Sequence, residues 1–88
     1  MANRHTVRMF SRRTCGLCDE ARAIIRSERA HDAFDFDFEE VFIDGDDELE
    51  RAYGLRVPVV DVDGREEFEF SVEPARFRSL VRSGRSKA

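Results

Sequence analysis

Cys15 and Cys18 stand in a C-x-x-C arrangement with Gly16 and Leu17 between them. A pair at this spacing can cycle between dithiol and disulfide, supply half of a tetrahedral metal site, or be chemically inert. Redox work needs one thiolate that attacks a disulfide sulfur and a second thiol placed to attack the mixed disulfide that results. An ordinary thiol is only about 3% ionised at pH 7, whereas one a hundred times more acidic is about 75% ionised, a difference of about 2.7 kcal/mol. Arg12 and Arg13, just before the pair, can favour the thiolate, while Asp19 and Glu20 just after it oppose that shift. Closing a zinc tetrahedron would require two more ligands, and the only histidines, His5 and His31, lack the spacing of a second motif. Both histidines therefore read as solvated surface residues. The redox reading leads.

The elements that must position the pair follow from periodicity. Thr6 to Phe10 alternates Val7 and Met9 against Arg8 and Phe10, as a short strand does. From Cys15 to Arg29 the period becomes helical, through Leu17, Ala21, Ile24, Ile25 and Glu28, with Thr14 or Cys15 as the N-cap. The pair thus opens the first helix, where free backbone N–H groups and the positive end of the helix dipole stabilise a thiolate at Cys15. Cys18, one turn further in, should be the more buried of the two. Gly16 leaves the intervening turn more flexible than a proline would.

His31 to Asp37 reads as an approach loop, with Phe34, Phe36 and Phe38 forming a packing stripe, and Phe38 to Ile43 reads as the second strand. Asp44-Gly45-Asp46 is a turn. Asp46 or Asp47 caps a short helix carrying Leu49, Ala52 and Tyr53, with Gly54 suited to a left-handed position at its end. Val57 to Val62 is nearly all apolar, as in a buried strand, with Pro58 near its start. Asp63-Gly64 signals a hairpin, Glu66 to Phe70 a fourth strand, and Pro74 a last helix with Phe77, Leu80 and Val81 inward, ending at Gly84. The order β-α-β-α-β-β-α implies an α/β fold whose first two strands are parallel through a right-handed crossover and whose last two form an antiparallel hairpin.

Eighty-eight residues allow one domain, expected to span 1–88 with an ordered core over about 5–83 and a flexible basic tail over 84–88. Charged residues make up 39% of the chain and the net charge is −4, which argues against nucleic-acid binding. The remaining carboxylates read as a solvated face, and fourteen of the fifteen basic residues are Arg, a compositional bias. No apolar run approaches the roughly 20 residues of a membrane helix, and no signal-peptide core precedes the first strand. A cytoplasmic location is expected, and a reducing compartment favours a catalytic or metal-binding pair over a structural disulfide.

Two segments carry a resemblance. Val7-Arg8-Met9-Phe10-Ser11-Arg12-Arg13-Thr14-Cys15-Gly16-Leu17-Cys18 and Gly54-Leu55-Arg56-Val57-Pro58-Val59-Val60, together with the element order, resemble the short glutaredoxin-like proteins of the thioredoxin superfamily. The resemblance runs from about residue 5 to 83 and implies a thioredoxin-like, glutaredoxin-type four-stranded mixed sheet flanked by helices. It implies a nucleophilic Cys15, a resolving Cys18, an Arg12 that helps hold a glutathione carboxylate, and a cis bond at Pro58. Val57 would offer its backbone N–H and C=O to an extended substrate. Two departures stand out. Gly16-Leu17 replaces the common Pro-Tyr, and Phe70-Ser71-Val72-Glu73-Pro74 lacks the glycine pair that fixes the amino end of glutathione.

The expected activity is thiol–disulfide oxidoreduction of protein or low-molecular-weight disulfides. No bound cofactor is expected; glutathione or a thioredoxin-reductase-type partner is the candidate reductant. Neither nucleic acid nor membrane is an expected partner, and no metal site is expected. The alternatives are a non-catalytic binding module that uses the groove beside Pro58, and a metal or iron–sulfur protein built on the same cysteines.

Overall fold

The computed structural model describes residues 4–30 and 36–82. Along the chain run β1 (His5–Ser11), α1 (Gly16–Arg29), β2 (Phe36–Phe42), α2 (Asp47–Tyr53), β3 (Val59–Val62), β4 (Arg65–Glu69) and α3 (Pro74–Arg82). The strands form one mixed sheet in the order β2-β1-β3-β4. β1 pairs in parallel with β2 and antiparallel with β3, and β3 pairs antiparallel with β4. The element order, the mixed sheet, the parallel β1–β2 pair and the antiparallel β3–β4 hairpin are those expected from the sequence; the antiparallel β1–β3 pairing joins them into one sheet.

The pleat of β1 sorts its side chains between two cores. Val7 and Met9 join Ala21 and Ile25 of α1, Phe77 and Val81 of α3, and Phe36, Val60, Val62 and Phe68 of the sheet. Phe10, on the other face, is buried with Ile43 and Val59 beneath α2, and its ring stacks on Tyr53 at 4.0 Å. Phe77 meets the edge of Phe36 at 5.4 Å, tying α3 to the start of β2. The first core is the larger, so most of the apolar driving force lies between the sheet and α1 and α3.

Several sequence expectations are corrected. β2 begins at Phe36, inside the stretch expected to be loop, because β1 begins at His5 and the parallel register sets His5 opposite Phe36. Phe36 is fully buried. β3 begins at Val59 rather than Val57, since Pro58 has no N–H to give a ladder. On α1 the buried stripe is Cys18, Ala21, Ile25 and Glu28, whereas Leu17, at the rim of that stripe in the first turn, keeps 46% of its surface in water. Glu28 is tolerated there because Arg78 of α3 donates to both of its oxygens, at 3.0 and 2.9 Å.

Gly54 is right-handed, with φ −51°, so the left-handed end expected for α2 is absent. Its value is space: a Cβ there would collide with the Glu50 carbonyl and lie 3.1 Å from Arg12 Nη2. His5 is buried rather than solvated, its Nδ1 bonded to Asp63 Oδ2. The reason is the hairpin. Asp63 and Gly64 both take positive φ, 54° and 87°, as a tight two-residue turn requires, and the Asp63 carboxylate turns back to accept the Thr6 N–H at 2.9 Å. β4 ends at Glu69 because Phe70 leaves the strand with φ 73°. His31, Phe34, Gly84 and the expected basic tail lie outside the described residues.

Candidate active site

The parallel β1–β2 crossover delivers Cys15 to the N-terminal end of α1. Cys15 is the N-cap, extended in backbone, and its Sγ accepts the Cys18 N–H at 3.1 Å. Its carbonyl accepts the Asp19 N–H at 3.0 Å, so the first turn closes around the cysteine. A sulfur in this place meets the unpaired N–H groups of a helix end, the environment that stabilises a thiolate over a thiol. Cys15 and Cys18 are joined as a disulfide, with Cα atoms 5.2 Å apart. Cys15 is half-buried and Cys18 is completely buried, so a partner can reach only the first sulfur readily.

The base of the site is tied down by charge. Ser11, fully buried at the end of β1, donates its hydroxyl to Glu40 Oε2 at 2.7 Å. Arg22, one turn beyond Cys18 on α1, donates through Nε and Nη2 to the same carboxylate and through Nη1 to Asp19. The Arg22 hydrogen bonds hold the Glu40 carboxyl below the usual glutamate range despite partial burial, and Ser11 adds to that effect. Arg22 is correspondingly held more firmly protonated, first by Glu40 and then by Asp19. The network locks α1, one turn beyond Cys18, to β1 and β2. Asp19, whose charge opposes a thiolate, is partly neutralised by it.

The other residues expected at the site fall into two groups. The β1–β3 register sets Phe10 opposite Val59, which brings Pro58 to the level of Ser11, where the chain departs toward Cys15. The Val57–Pro58 bond is cis and Pro58 is fully buried. Val57 is partly exposed and makes no backbone hydrogen bond with another described residue. Arg12 is engaged elsewhere. Its guanidinium forms a two-pronged pair with Glu50 of α2 and also reaches the Gly54 carbonyl at 3.2 Å, and the Glu50 hydrogen bonds raise its pKa further. Arg13 lays its guanidinium over the Phe42 ring at 4.7 Å, and its backbone N–H donates to Asp44.

Three features had no local signal in the sequence. Glu50, Glu40 and Arg22 act through partners many residues away. Asp61, in the middle of β3, keeps one carboxylate oxygen buried and unpartnered among the described residues; burial and the nearby Glu66 push its pKa up, with Arg8 opposing. Phe70 holds a left-handed backbone that costs an L-residue roughly 1–2 kcal/mol. Its N–H donates to the Pro58 carbonyl at 2.8 Å and to that of Arg56 at 3.3 Å. Among the described residues, no group of three or more His, Cys, Asp and Glu is placed to hold a metal ion, and no helix is long and apolar enough to cross a membrane.

The family described as Glutaredoxin-like domain (DUF836) matches residues 6–82 of the chain. A structural-genomics target protein from X. campestris, solved by X-ray crystallography, is 40% identical, with a TM-score of 0.67 over 83% of this chain and 91% of that one. A protein of Nitrosomonas europaea solved by NMR gives a TM-score of 0.75 at 24% identity, over 92% and 95% of the two chains. A mutant thioredoxin from Halobacterium salinarum NRC-1 gives 0.63 at 22% identity, over 98% of this chain and 79% of that one. The latter two are alike in fold. No curated protein matches the sequence significantly.

Proposed function

The chain belongs to the glutaredoxin-like domain family, and from that membership we propose that it is a dithiol–disulfide oxidoreductase acting through Cys15 and Cys18. The observation that carries the reading is the asymmetry of the pair. One sulfur is half-buried at a helix N-cap and accepts an N–H; the other is sealed beneath it.

In the reduced protein the Cys15 thiolate attacks one sulfur of a substrate disulfide. A Cys15–substrate bond forms, the substrate S–S bond breaks, and the first substrate sulfur leaves as a thiolate that takes a proton from water. Cys18 then gives its proton to water and attacks Cys15 Sγ, which expels the second substrate sulfur. Two electrons have passed to the substrate and the Cys15–Cys18 disulfide remains, the state seen in the structure. Two glutathione thiols, or a reductase of the thioredoxin-reductase type, return it to the dithiol. The cytoplasm, with its reducing thiol pool, suits this cycle.

Substrate binding is assigned to Val57, Pro58 and Arg12. Val57 carries backbone groups that an extended substrate can pair with, and Pro58, fully buried behind it, anchors that segment. Arg12 contributes positive charge near Cys15, although its fork is already shared with Glu50.

The test is reduction of insulin or hydroxyethyl disulfide. Wild type turns over and Cys15→Ser falls by about a thousandfold or more, while Cys18→Ser accumulates a mixed disulfide detectable by mass spectrometry. Failure of the wild type with both glutathione and a thioredoxin-reductase system would end the oxidoreductase reading.

A further inference from the structure

Among the described residues, the large apolar side chains that stand exposed are Leu17 at 46%, Leu55 at 93% and Phe70 at 47%. On a chain this rich in charge, their placement is informative. Leu17 lies between the cysteines, Leu55 three residues before Pro58, and Phe70 is hydrogen-bonded to the Pro58 carbonyl. The end of β1, the start of β3 and the end of β4 share one pole of the sheet. All three exposed residues belong to that pole.

Phe70 is the most informative of them. A backbone with φ 73° favours glycine, yet the position carries an aromatic ring, held in place by N–H bonds to the carbonyls of Pro58 and Arg56. The nearby guanidiniums are occupied. Arg12 is committed to Glu50 and Gly54, and Arg56 to Glu66, Glu69 and the Ala52 carbonyl. The surface beside Pro58 therefore presents apolar area to a visitor, while its two guanidiniums are already spent on internal partners.

We propose that Phe70, with Leu55, is a specificity-determining rim that receives a large apolar side chain close to the half-cystine of a polypeptide disulfide. The preferred substrate class is a protein or peptide disulfide flanked by such a residue, over a small anionic disulfide. Adjacent strands lie about 4.8 Å apart, so Phe70, just past the end of β4, stands about 10 Å across the sheet from Ser11 at the end of β1, from which the chain leads to Cys15. The inference rests on the dithiol reading above, whose substrate it narrows.

The experiment uses the full chain, reduced and freed of reductant, mixed with two synthetic peptide disulfides. They differ only in leucine or serine within three residues of the half-cystine. One protein dithiol is consumed per disulfide cleaved, so single-turnover rate constants follow without an added reductant. The wild type should prefer the leucine peptide by about tenfold. Phe70→Gly, which suits the left-handed backbone, and Leu55→Ser, at a position exposed enough to spare the fold, should each cut that ratio by about threefold or more. A wild-type ratio near one, or a ratio that both variants leave unchanged, overturns the inference while the oxidoreductase reading stands. Reduction of neither peptide, nor of hydroxyethyl disulfide, overturns that reading and this inference with it.

Discussion

Arg12 Nη1 donates to Glu50 Oε2 at 2.9 Å while Nη2 donates to Oε1, so both prongs of the guanidinium fork are closed on one carboxylate of α2. The geometry is the same fork-on-carboxylate match by which an arginine would hold a substrate carboxylate. An anionic substrate that used Arg12 would have to displace Glu50 from it.

Glu50→Gln should release Arg12. We expect kcat/KM for glutathione disulfide to rise by about threefold and to become more sensitive to salt, since an exposed charge is screened within about 10 Å at 0.1 M salt. Adding Arg12→Ala should erase the gain. A double-mutant cycle on kcat/KM measures the coupling, and additivity would show that Arg12 does not meet the substrate.

Glu40→Gln should destabilise the protein by about 1–2 kcal/mol at neutral pH, a figure moderated for partial solvent access. Arg22 and the buried Ser11 hydroxyl lose their charged acceptor. Because the folded carboxyl is held below its unfolded value, its contribution is present above the usual glutamate range and disappears as pH falls through the folded value. Urea unfolding near pH 7 and near pH 3 checks this: the gap between variant and wild type should shrink at the acid end.

Asp61→Asn should act in the opposite sense. Burial raises the folded pKa of Asp61, so ionising it opposes folding, and the penalty grows as pH rises from the unfolded value through the folded one. The neutral amide avoids that penalty. We expect a gain of about 0.5–1 kcal/mol at neutral pH, vanishing near pH 3, in the same urea series. A loss at neutral pH would indicate that Asp61 holds a partner through its charge.

Phe77→Ala should cost about 3–5 kcal/mol, because the ring is fully buried against Phe36 and Phe68. Small domains are stable by only about 5–15 kcal/mol, and 1 kcal/mol shifts their melting point by about 4–8 °C. A fall in Tm of at least about 12 °C by circular dichroism is the expected outcome.

Local chemistry in the sequence was enough to find the frame. The spacing of Cys15 and Cys18, the switch from alternate to helical periodicity, and the Asp63-Gly64 turn each act within a few residues, so each could be read directly. The errors arose where tertiary partners decide. Phe36 is strand because His5 lies opposite it, and His5 is buried because a turn 58 residues away folds back onto it. Gly54 has the residue type of a left-handed helix end, yet it makes room for the Arg12 guanidinium, 42 residues earlier in the chain. The same limit hid the engagement of Arg12. A motif can name a residue near the cysteines, but it cannot say which carboxylate has already claimed it.

The fourth strand ends one side of the sheet, with no strand beyond it among the described residues and only the Arg76 guanidinium reaching its Glu67 carbonyl. An open strand edge invites another chain to continue the ladder and so begin a fibril or an aggregate. β4 carries Glu66, Glu67 and Glu69 within five residues, with a break in register where Glu67 is skipped between Asp61 and Val60. Two such strands laid side by side would oppose like charges and mismatched pleats. The β4 edge thus discourages self-templating from that side of the sheet.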